Sequence, residues 1–353
     1  MSPYLHEALK LAEIRKGFTA PNPAVGAVLA KNGRIIGKGF HWAAGEPHAE
    51  VGAIREAEDV EDATLYVTLE PCCHFGKTPP CTNLILQKKI REVVYGFSDP
   101  NPTISGRGVQ LLKEAGVKVT QEINPEIFSF YRQYAYWTRT GKTWLTGKLA
   151  LTNNYQTASL DGVRLEITSE RANRYTHERR KQADTLITSQ ATIQKDDPLF
   201  NVRLEDTVLS KPVWIFDRKL KFSLTSKIKQ SAHSVSLLCG ENFLRERESE
   251  LKSGGIELVP WTENEGGLEL EGLAKELGKR GFHEAWVECG HRLFMAFLRS
   301  RRFQEIVLYI SNRDYEKGAG PGLELFQELK DYRQKSVNQL GPDRREIWVL
   351  ENL

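Results

Sequence analysis

A short signature around one histidine and two cysteines constrains this chain more than any other feature. Glu50 follows His48 by two residues, and the pair Pro71-Cys72 precedes a further cysteine, Cys81. Histidine and cysteine are the ligand types that hold zinc in catalytic sites with three protein ligands and one open position. His48, Cys72 and Cys81 would supply such a set, so the fold must bring together a helix start, a strand end and the next helix start.

The spacing of the two cysteines departs from the usual zinc-deaminase pattern. That pattern is H-x-E followed by P-C-x-x-C, whereas the last cysteine is displaced here to Cys81. A longer loop can still fold back to one metal, and Pro79-Pro80 stiffens its return. Cys72 and Cys73 are adjacent and point in different directions on a regular backbone, so one zinc is not expected to bind both. A structural zinc with a fourth ligand from Cys73 or His74 is the alternative.

Glu50 gives this site a predicted reaction. Zinc lowers the pKa of its bound water toward neutrality. A carboxylate that is not itself a ligand can take that proton and pass it to a leaving amino group. We therefore predict hydrolytic deamination of an amino-substituted heterocycle, with Glu50 as the catalytic residue.

Two other functional classes share part of this signature. A zinc-dependent nucleic-acid or nucleoside deaminase has the same H-x-E and P-C elements, but a strand-binding enzyme would need a cationic, aromatic-lined channel. A zinc-stabilised interaction module would bind the metal without chemistry. Release of ammonia from an amino-substituted heterocycle distinguishes the enzyme from such a module.

Composition restricts the compartment and the partners. A chain of 353 residues is too long for most single cores, which favours two domains. Five cysteines do not suggest a disulfide framework, and 49 Lys+Arg against 46 Asp+Glu without a basic block argues against a nucleic-acid partner. No apolar run approaches the roughly 20 residues of a membrane helix, and the opening residues lack a signal-peptide pattern. We therefore expect a cytoplasmic protein with no membrane partner.

Strands and helices alternate along the whole chain. After a first helix, the Asn32-Gly33 pair between two β-prone runs predicts a hairpin. Helix and strand patterns then alternate to about residue 140, and they restart afterwards, with one helix predicted at 268–281. This order predicts two layered α/β domains, at 1–141 and 142–353.

Four strings in the first half resemble the bifunctional riboflavin-biosynthesis deaminase/reductases. They are TAPNPAVGAVL (19–29), GFHWAAGEPHAE (39–50), VTLEPCCHFGKTPPC (67–81) and DPNPTISGRG (99–108). This family shares the long spacing to Cys81. The resemblance implies a cytidine-deaminase-like, three-layer α/β/α zinc domain that deaminates 2,5-diamino-6-ribosylamino-4(3H)-pyrimidinone 5′-phosphate. By motif position, it places the substrate contacts on Asn22, His41, His74, Lys77, Asp99 and Asn101.

The second half resembles the reductase domain of the same family, which is a dihydrofolate-reductase-like α/β domain. That domain uses NADPH to reduce the ribosyl group to ribityl. The matching strings are KLAL (148–151), ADTLITSQATIQKDDPLFNVR (183–203) and WVECG (286–290). The resemblance implies cofactor contacts at Lys148, Thr192, Asp196 and Gly290. It implies substrate contacts at Arg180, Arg203 and Glu288, and the two guanidinium groups suit phosphate oxygens. It also implies a homo-oligomer.

Three departures from the reductase pattern leave a second interpretation open. TNNY (152–155) stands where the family has SLDG, and Glu166 stands where it has a tryptophan. The string CGHRLFMAF (289–297) replaces the glycine-rich GGPTLAG, of which Gly290 remains. Glycine lets backbone amides approach phosphates closely. The alternative is therefore a deaminase whose degenerate reductase domain serves as a scaffold.

Overall fold

The structure is a computed structural model, and it divides into two compact units. It describes residues 1–75, 79–102, 104–159, 167–205, 207–264, 266–315 and 318–351. The first unit comprises Met1–Thr143 and Leu277–His283, and the second comprises Trp144–Glu276 and Glu284–Leu353. Lys77 and Glu166, which the sequence analysis singled out, lie outside the described residues.

The first unit is built on a five-stranded sheet. Its helices are α1 (Pro3–Arg15), α2 (Ala49–Glu56), α3 (Cys81–Gln87), α4 (Arg107–Glu114) and α5 (Pro125–Thr140). Its strands are β1 (Gly26–Lys31), β2 (Arg34–Phe40), β3 (Thr64–Leu69), β4 (Glu92–Phe97) and β5 (Lys118–Gln121). The order is β2-β1-β3-β4-β5, in which β1 is antiparallel to both neighbours and β3, β4 and β5 are parallel. Asn32-Gly33 forms the predicted turn between β1 and β2.

Two apolar cores cover the two faces of this sheet. One core joins the strands to α2, α3 and α4 through Ala53, Ile85 and Leu112. The other joins them to α1 and α5 through Leu9 and Ile127. The amphipathic helices of the first half thus bury their apolar faces on opposite sides of one sheet. The predicted three-layer α/β/α fold is confirmed.

Helix α2 lies directly against strand β2. A Cβ atom added at Gly37 would lie 2.1 Å from the carbonyl oxygen of Ala53, and one added at Gly39 would lie 2.1 Å from that of Ala49. No side chain fits such a gap, so glycine at both positions permits the close approach of the helix backbone. The start of α2, and with it His48, takes its position from this contact.

The second unit is built on a nine-stranded sheet with several short additions. Its long-sheet strands are β6 (Trp144–Leu151), β8 (Thr185–Ser189), β11 (Pro212–Phe216), β12 (Ser234–Gly240), β13 (Glu257–Trp261), β16 (Glu284–Glu288), β17 (Glu305–Ile310), β19 (Tyr332–Leu340) and β20 (Asp343–Leu350). The short strands are β7 (Ala158–Ser159), β9 (Val202–Leu204), β10 (Thr207–Leu209), β14 (Glu263–Asn264), β15 (Gly267–Leu268) and β18 (Gly318–Ala319). The helices are α6 (Glu170–Gln182), α7 (Gln190–Asp196), α8 (Lys227–Ser231), α9 (Leu244–Ser253), α10 (Leu273–Lys279), α11 (His291–Arg299) and α12 (Glu324–Glu328).

The sheet of the second unit is parallel over most of its width. Its order is β13-β12-β11-β8-β16-β6-β17-β20-β19, and the seven strands from β13 to β17 are mutually parallel. Strand β20 is antiparallel to β17, and β19 is antiparallel to β20. Helices α6 to α9 pack on one face. On α11, Phe297 stacks on Phe303, and an added Cβ at Gly147 of β6 would also meet that ring. This is a layered α/β fold, as predicted.

One predicted element in this half has different bounds. The helix expected at 268–281 begins at Leu273, because Gly272 has a φ of 82° and Leu268 pairs in the hairpin of β14 and β15. None of the described helices is both long enough and apolar enough to cross a membrane.

Candidate functional site

Three elements of the first unit bring the predicted metal ligands together. His48 is the N-cap residue of α2, Cys72 follows β3, and Cys81 is the first residue of α3. His48 Nδ1 lies 3.3 Å from Cys81 Sγ and 3.5 Å from Cys72 Sγ. A tetrahedral zinc ion holds a sulfur and a nitrogen ligand about 3.5 Å apart, given its usual bond lengths. The donor atoms and their spacing therefore fit zinc.

Glu50 lies beside these three residues on the first turn of α2. Its side chain hydrogen-bonds with the Cys81 thiol, and the residue is only 3% exposed. Burial raises the pKa of the Glu50 carboxyl group. A carboxyl group whose pKa is raised binds a proton more readily, as a residue that transfers protons requires.

His48, Glu50 and Cys72 line a cavity of about 400 Å³. Five residues that the sequence analysis proposed as substrate contacts line the same cavity: Asn22, His41, His74, Asp99 and Asn101. Lys77, the sixth, lies outside the described residues.

Other residues of the cavity wall were not predicted. Glu70, Tyr134 and Trp137 also line it. Glu70 belongs to the string that carries Cys72, so its position directly after a buried strand was a usable signal. Tyr134 and Trp137 lie on the aromatic-rich helix α5, where aromatic residues are typical of a core.

His41 is held as a neutral ring that orients Asn22. The carbonyl oxygen of Pro47 lies 3.1 Å from His41 Nδ1, so this nitrogen carries the proton and donates. Nε2 then accepts the amide N–H of Asn22 at 3.1 Å. Burial lowers the pKa of His41, which keeps the ring neutral. Because Asn22 uses its Nδ2 in this contact, its oxygen is fixed as a hydrogen-bond acceptor.

The side chain of Asp99 is held by two neighbouring residues. Its Oδ1 accepts the backbone N–H of Asn101 at 2.9 Å and the hydroxyl of Tyr134 at 3.4 Å. Burial raises the pKa of the Asp99 carboxyl group. The carboxylate is thus oriented by its own loop and by α5.

In the second unit, Glu288 contacts two of the other predicted site residues. It ends strand β16, and its two carboxylate oxygens accept Nε and Nη2 of Arg180 at 2.6 and 3.0 Å. Lys148 Nζ, on the paired strand β6, lies 3.7 Å away. Burial alone would raise the pKa of Glu288, but the charges of Arg180 and Lys148 outweigh it and lower that pKa to about 2. Glu288 is therefore ionised at every ordinary pH.

Asn201 joins the two predicted arginines. Its backbone oxygen accepts Nη1 of Arg180 at 3.1 Å, and its Oδ1 accepts Nη1 of Arg203. The backbone N–H of Arg203 donates to Nδ1 of His177 at 3.1 Å. Burial and the charges of Arg180 and Arg203 lower the pKa of His177 to about 4, so it is a neutral acceptor. The sequence analysis did not identify Asn201 or His177.

The predicted cofactor residues lie on three elements. Lys148 is on β6, Thr192 and Asp196 are on α7, and Gly290 is the N-cap of α11. An added Cβ at Gly290 would meet no atom within 4 Å, so α11 begins beside open space. Burial and the charges of Arg292 and Lys195 lower the pKa of His291, which places two cations near this helix start.

The TNNY turn, one of the departures from the reductase pattern, is tied firmly into the unit. Asn154 accepts the backbone N–H of Tyr315 at 3.1 Å and donates to the backbone oxygen of the same residue at 2.9 Å. Tyr155 stands where the family has glycine, and its φ of 62° is in the left-handed region that favours glycine. Its ring packs on Phe326 at 4.7 Å. Tyr155 therefore adopts a backbone conformation that usually favours glycine.

Two family models match separate parts of the chain. Residues 2–97 match the cytidine and deoxycytidylate deaminase zinc-binding region, and residues 144–313 match the RibD C-terminal domain. Together they cover the parts that carry the two clusters described above.

Known proteins match the chain over nearly its whole length. The riboflavin biosynthesis protein RibD of Aquifex aeolicus (strain VF5) is 36% identical, and the alignment covers 96% of each chain. The structure of Acinetobacter baumannii RibD, form 1, is 28% identical, with a TM-score of 0.85 over 99% of this chain and 98% of that one. A Thermotoga maritima diaminohydroxyphosphoribosylaminopyrimidine deaminase/5-amino-6-(5-phosphoribosylamino)uracil reductase is also 28% identical, with a TM-score of 0.85 over 98% and 97%. A deaminase zinc-binding region, a RibD C-terminal domain and full-length identity to RibD proteins together show that this chain belongs to the RibD family of riboflavin-biosynthesis proteins.

Proposed function

We propose that this chain catalyses two consecutive steps of riboflavin biosynthesis. The domain at 1–141 removes an amino group from 2,5-diamino-6-ribosylamino-4(3H)-pyrimidinone 5′-phosphate, and the domain at 142–353 reduces the ribosyl group to ribityl with NADPH. One observation carries the proposal: the His48, Cys72 and Cys81 donor atoms lie close together beside the buried Glu50, and His48, Cys72 and Glu50 line one cavity. The Thermotoga maritima relative, a deaminase/reductase, supports both steps.

In the first step, Glu50 moves the protons. Zinc held by His48, Cys72 and Cys81 with one open position would lower the pKa of water toward neutrality. In the hydrolysis, the water oxygen bonds to the ring carbon that bears the amino group. Glu50 takes the water's proton and delivers it to that amino group, and the C–N bond breaks to release ammonia. Burial of the Glu50 carboxyl group favours its protonated form, which suits a group that carries a proton from one reactant to the other.

The other residues of the cavity orient the substrate. Asn22 presents its amide oxygen to an N–H on the edge of the pyrimidinone, since its Nδ2 is engaged by His41. Asp99, held by Tyr134, accepts hydrogen bonds from substrate amino or hydroxyl groups. Asn101, His74 and Lys77 contact the ribose or the phosphate.

In the second step, the Glu288 cluster holds the sugar phosphate. Glu288 fixes Arg180 by a bidentate contact, and Asn201 fixes Arg203 relative to it. Guanidinium groups held in place lose little freedom when they bind phosphate oxygens. Lys148, Thr192, Asp196 and Gly290 would hold NADPH, which supplies a hydride. The open space at Gly290 and the nearby charges of Lys195 and Arg292 suit its phosphate groups.

The mass of the product tests both steps at once. Zinc-loaded protein is incubated with the diaminopyrimidine ribosylamine phosphate and NADPH, and the product is analysed by mass spectrometry. We expect one amino group replaced by oxygen and two hydrogens added. A product that is deaminated but not reduced would refute the second step and support the scaffold alternative. An unchanged substrate would refute the first step.

Zinc content tests the ligand assignment. We expect wild-type protein to carry about one zinc ion per chain and Cys81→Ser to carry almost none, because two remaining ligands bind zinc weakly. Metal is measured by inorganic mass spectrometry after dialysis. Cys73→Ser is the matched control, since Cys73 is the adjacent thiol and should leave zinc content unchanged. Loss of zinc in Cys73→Ser would instead favour a four-ligand structural site.

Two further expectations stay predictions. One is that the protein forms a homo-oligomer, and the other is that it acts in the cytoplasm. Sedimentation analysis of the purified chain tests the first, and fractionation of cells tests the second.

A further inference from the structure

Glu70 is a buried carboxylate that the proposed chemistry does not use. It directly follows strand β3, two residues before Cys72, and it is only 3% exposed. Its Oε2 accepts the backbone N–H of Asp99 at 3.3 Å and that of Gly106 at 3.1 Å. Its Oε1 accepts the N–H of Val109 at 3.5 Å. One side chain therefore receives hydrogen bonds from three backbone groups far along the chain.

One of these contacts takes the place of a missing helix cap, because Val109 is the third residue of helix α4. Helix α4 begins after Gly106, which has no side chain to accept the first N–H groups of the helix. A carboxylate is a good acceptor for such groups, and its charge also complements the positive end of the helix dipole. The segment is packed tightly as well, since a Cβ added at Gly108 would lie 2.2 Å from the carbonyl oxygen of Pro71. The start of α4 is thus fixed to the segment Glu70–Pro71.

The hydrogen bonds of Glu70 also set the position of Asp99 and Asn101, two residues proposed to bind substrate. Asp99 is bound through its backbone N–H by Glu70 and through its carboxylate by Tyr134. Asn101 donates its own N–H to Asp99 Oδ1. Residues 99–102 therefore lie between an anchor at Glu70 and the start of α4. Because Glu70 and Cys72 are in one short segment, the metal ligands and this loop share one support.

We propose that Glu70 is a positioning residue of the deaminase site, which holds the loop carrying Asp99 and Asn101 at a fixed place relative to His48, Cys72 and Cys81. This inference rests on the proposed deamination. If Glu70 served folding alone, its replacement would lower the stability of the protein without changing how substrate binds. If Glu70 positions the loop, its replacement instead raises the KM for the pyrimidine substrate and loosens residues 99–109, while zinc stays bound.

The test combines Glu70→Ala and Glu70→Gln in the full, zinc-loaded chain. For Glu70→Ala we expect a KM about 10- to 100-fold higher, unchanged zinc content, and hydrogen exchange of the peptide covering 99–109 at least about 10-fold faster. Glu70→Gln should be intermediate in both respects, because its amide oxygen can still accept from Asp99 and Gly106. If Glu70→Ala does not fold, Glu70→Gln decides alone.

Ser2→Ala is the matched control. Ser2 caps α1 with its side-chain oxygen, at 3.3 Å from the N–H of Leu5, and does not line the cavity. We expect this variant to lose stability but to keep the wild-type KM and the wild-type exchange at 99–109. Wild-type exchange and KM in both Glu70 variants would overturn the proposal. Failure of the wild-type protein to release ammonia would refute the deamination itself, whereas the exchange experiment still reports on the loop.

Discussion

Glu50→Gln is expected to remove ammonia release and to leave zinc bound. The amide has the size of the carboxylate but cannot accept a proton from water, and Glu50 is not among the three clustered donors. General acid–base catalysis by one side chain contributes about 10²–10⁴-fold, so we expect kcat to fall by at least about 10²-fold. The measurements are an ammonia assay and the zinc content of the same sample.

Glu56→Gln provides the comparison for this variant. Glu56 is the last residue of the same helix α2 and is exposed. We expect it to keep both turnover and zinc. Reduction of a substrate that is already deaminated should also persist in Glu50→Gln, because its residues are those around Glu288. Turnover retained in Glu50→Gln, or zinc lost from it, would contradict the assigned role.

Glu288→Ala is expected to lower the free energy of unfolding of the second unit more than any surface substitution does. Arg180 and Lys148 face Glu288, and its removal takes away the carboxylate that pairs with the buried Arg180 guanidinium. Breaking a buried ion pair in this way costs about 3–5 kcal/mol of unfolding free energy. We also expect reduction of the deaminated substrate to be lost. Denaturant unfolding and NADPH oxidation measure the two effects.

The pH dependence of stability gives a second measure of Glu288. Its pKa is about 2 in the folded protein, against an ordinary value of 4.5. The ionised form therefore contributes stability above about pH 4.5, and that contribution of about 3 kcal/mol is lost as pH falls toward 2. Glu288→Ala should lack this component of acid destabilisation.

Glu178→Ala is the control for both measurements. Glu178 pairs with Arg174 on α6, the helix that also carries Arg180, but both side chains are largely exposed. Such a surface pair contributes about 0.3–0.5 kcal/mol. Equal stability of Glu178→Ala and Glu288→Ala would contradict the argument. If Glu288→Ala does not fold, the NADPH oxidation rate of Glu288→Gln tests the site.

The sequence predicts the first unit well because its signals are local. A capped helix with Pro3 at its first position, an Asn-Gly turn and strictly alternating apolar runs each specify one element. The spacing of His48, Cys72 and Cys81 then places three side chains at the ends of neighbouring elements. The part of the cavity wall that α5 contributes could not be predicted in this way. Tyr134 and Trp137 have the sequence pattern of core residues, and only the structure shows that they line the cavity.

The second unit was harder to predict for physical reasons. Helices α7, α8 and α12 have only 5 to 7 residues, which is too short for a clear helical period. Strand β19 has mostly exposed polar side chains and forms through pairing with β20. Asn201 works through its backbone oxygen and its amide together, and no residue pattern predicts such a contact. The grouping of Leu277–His283 with the first unit likewise depends on contacts distant in sequence.

The glycines of β2 are expected to be constrained in evolution although they take no part in the chemistry. Gly37 and Gly39 touch no reacting group, yet a methyl group at either position would push α2 away from the sheet and move His48 and Glu50 with it. In a library of all single substitutions selected for growth without added riboflavin, these two positions should tolerate as little change as Cys72 and Cys81. Conservation measured at such positions would then reflect the placement of a catalytic helix rather than contact with any ligand.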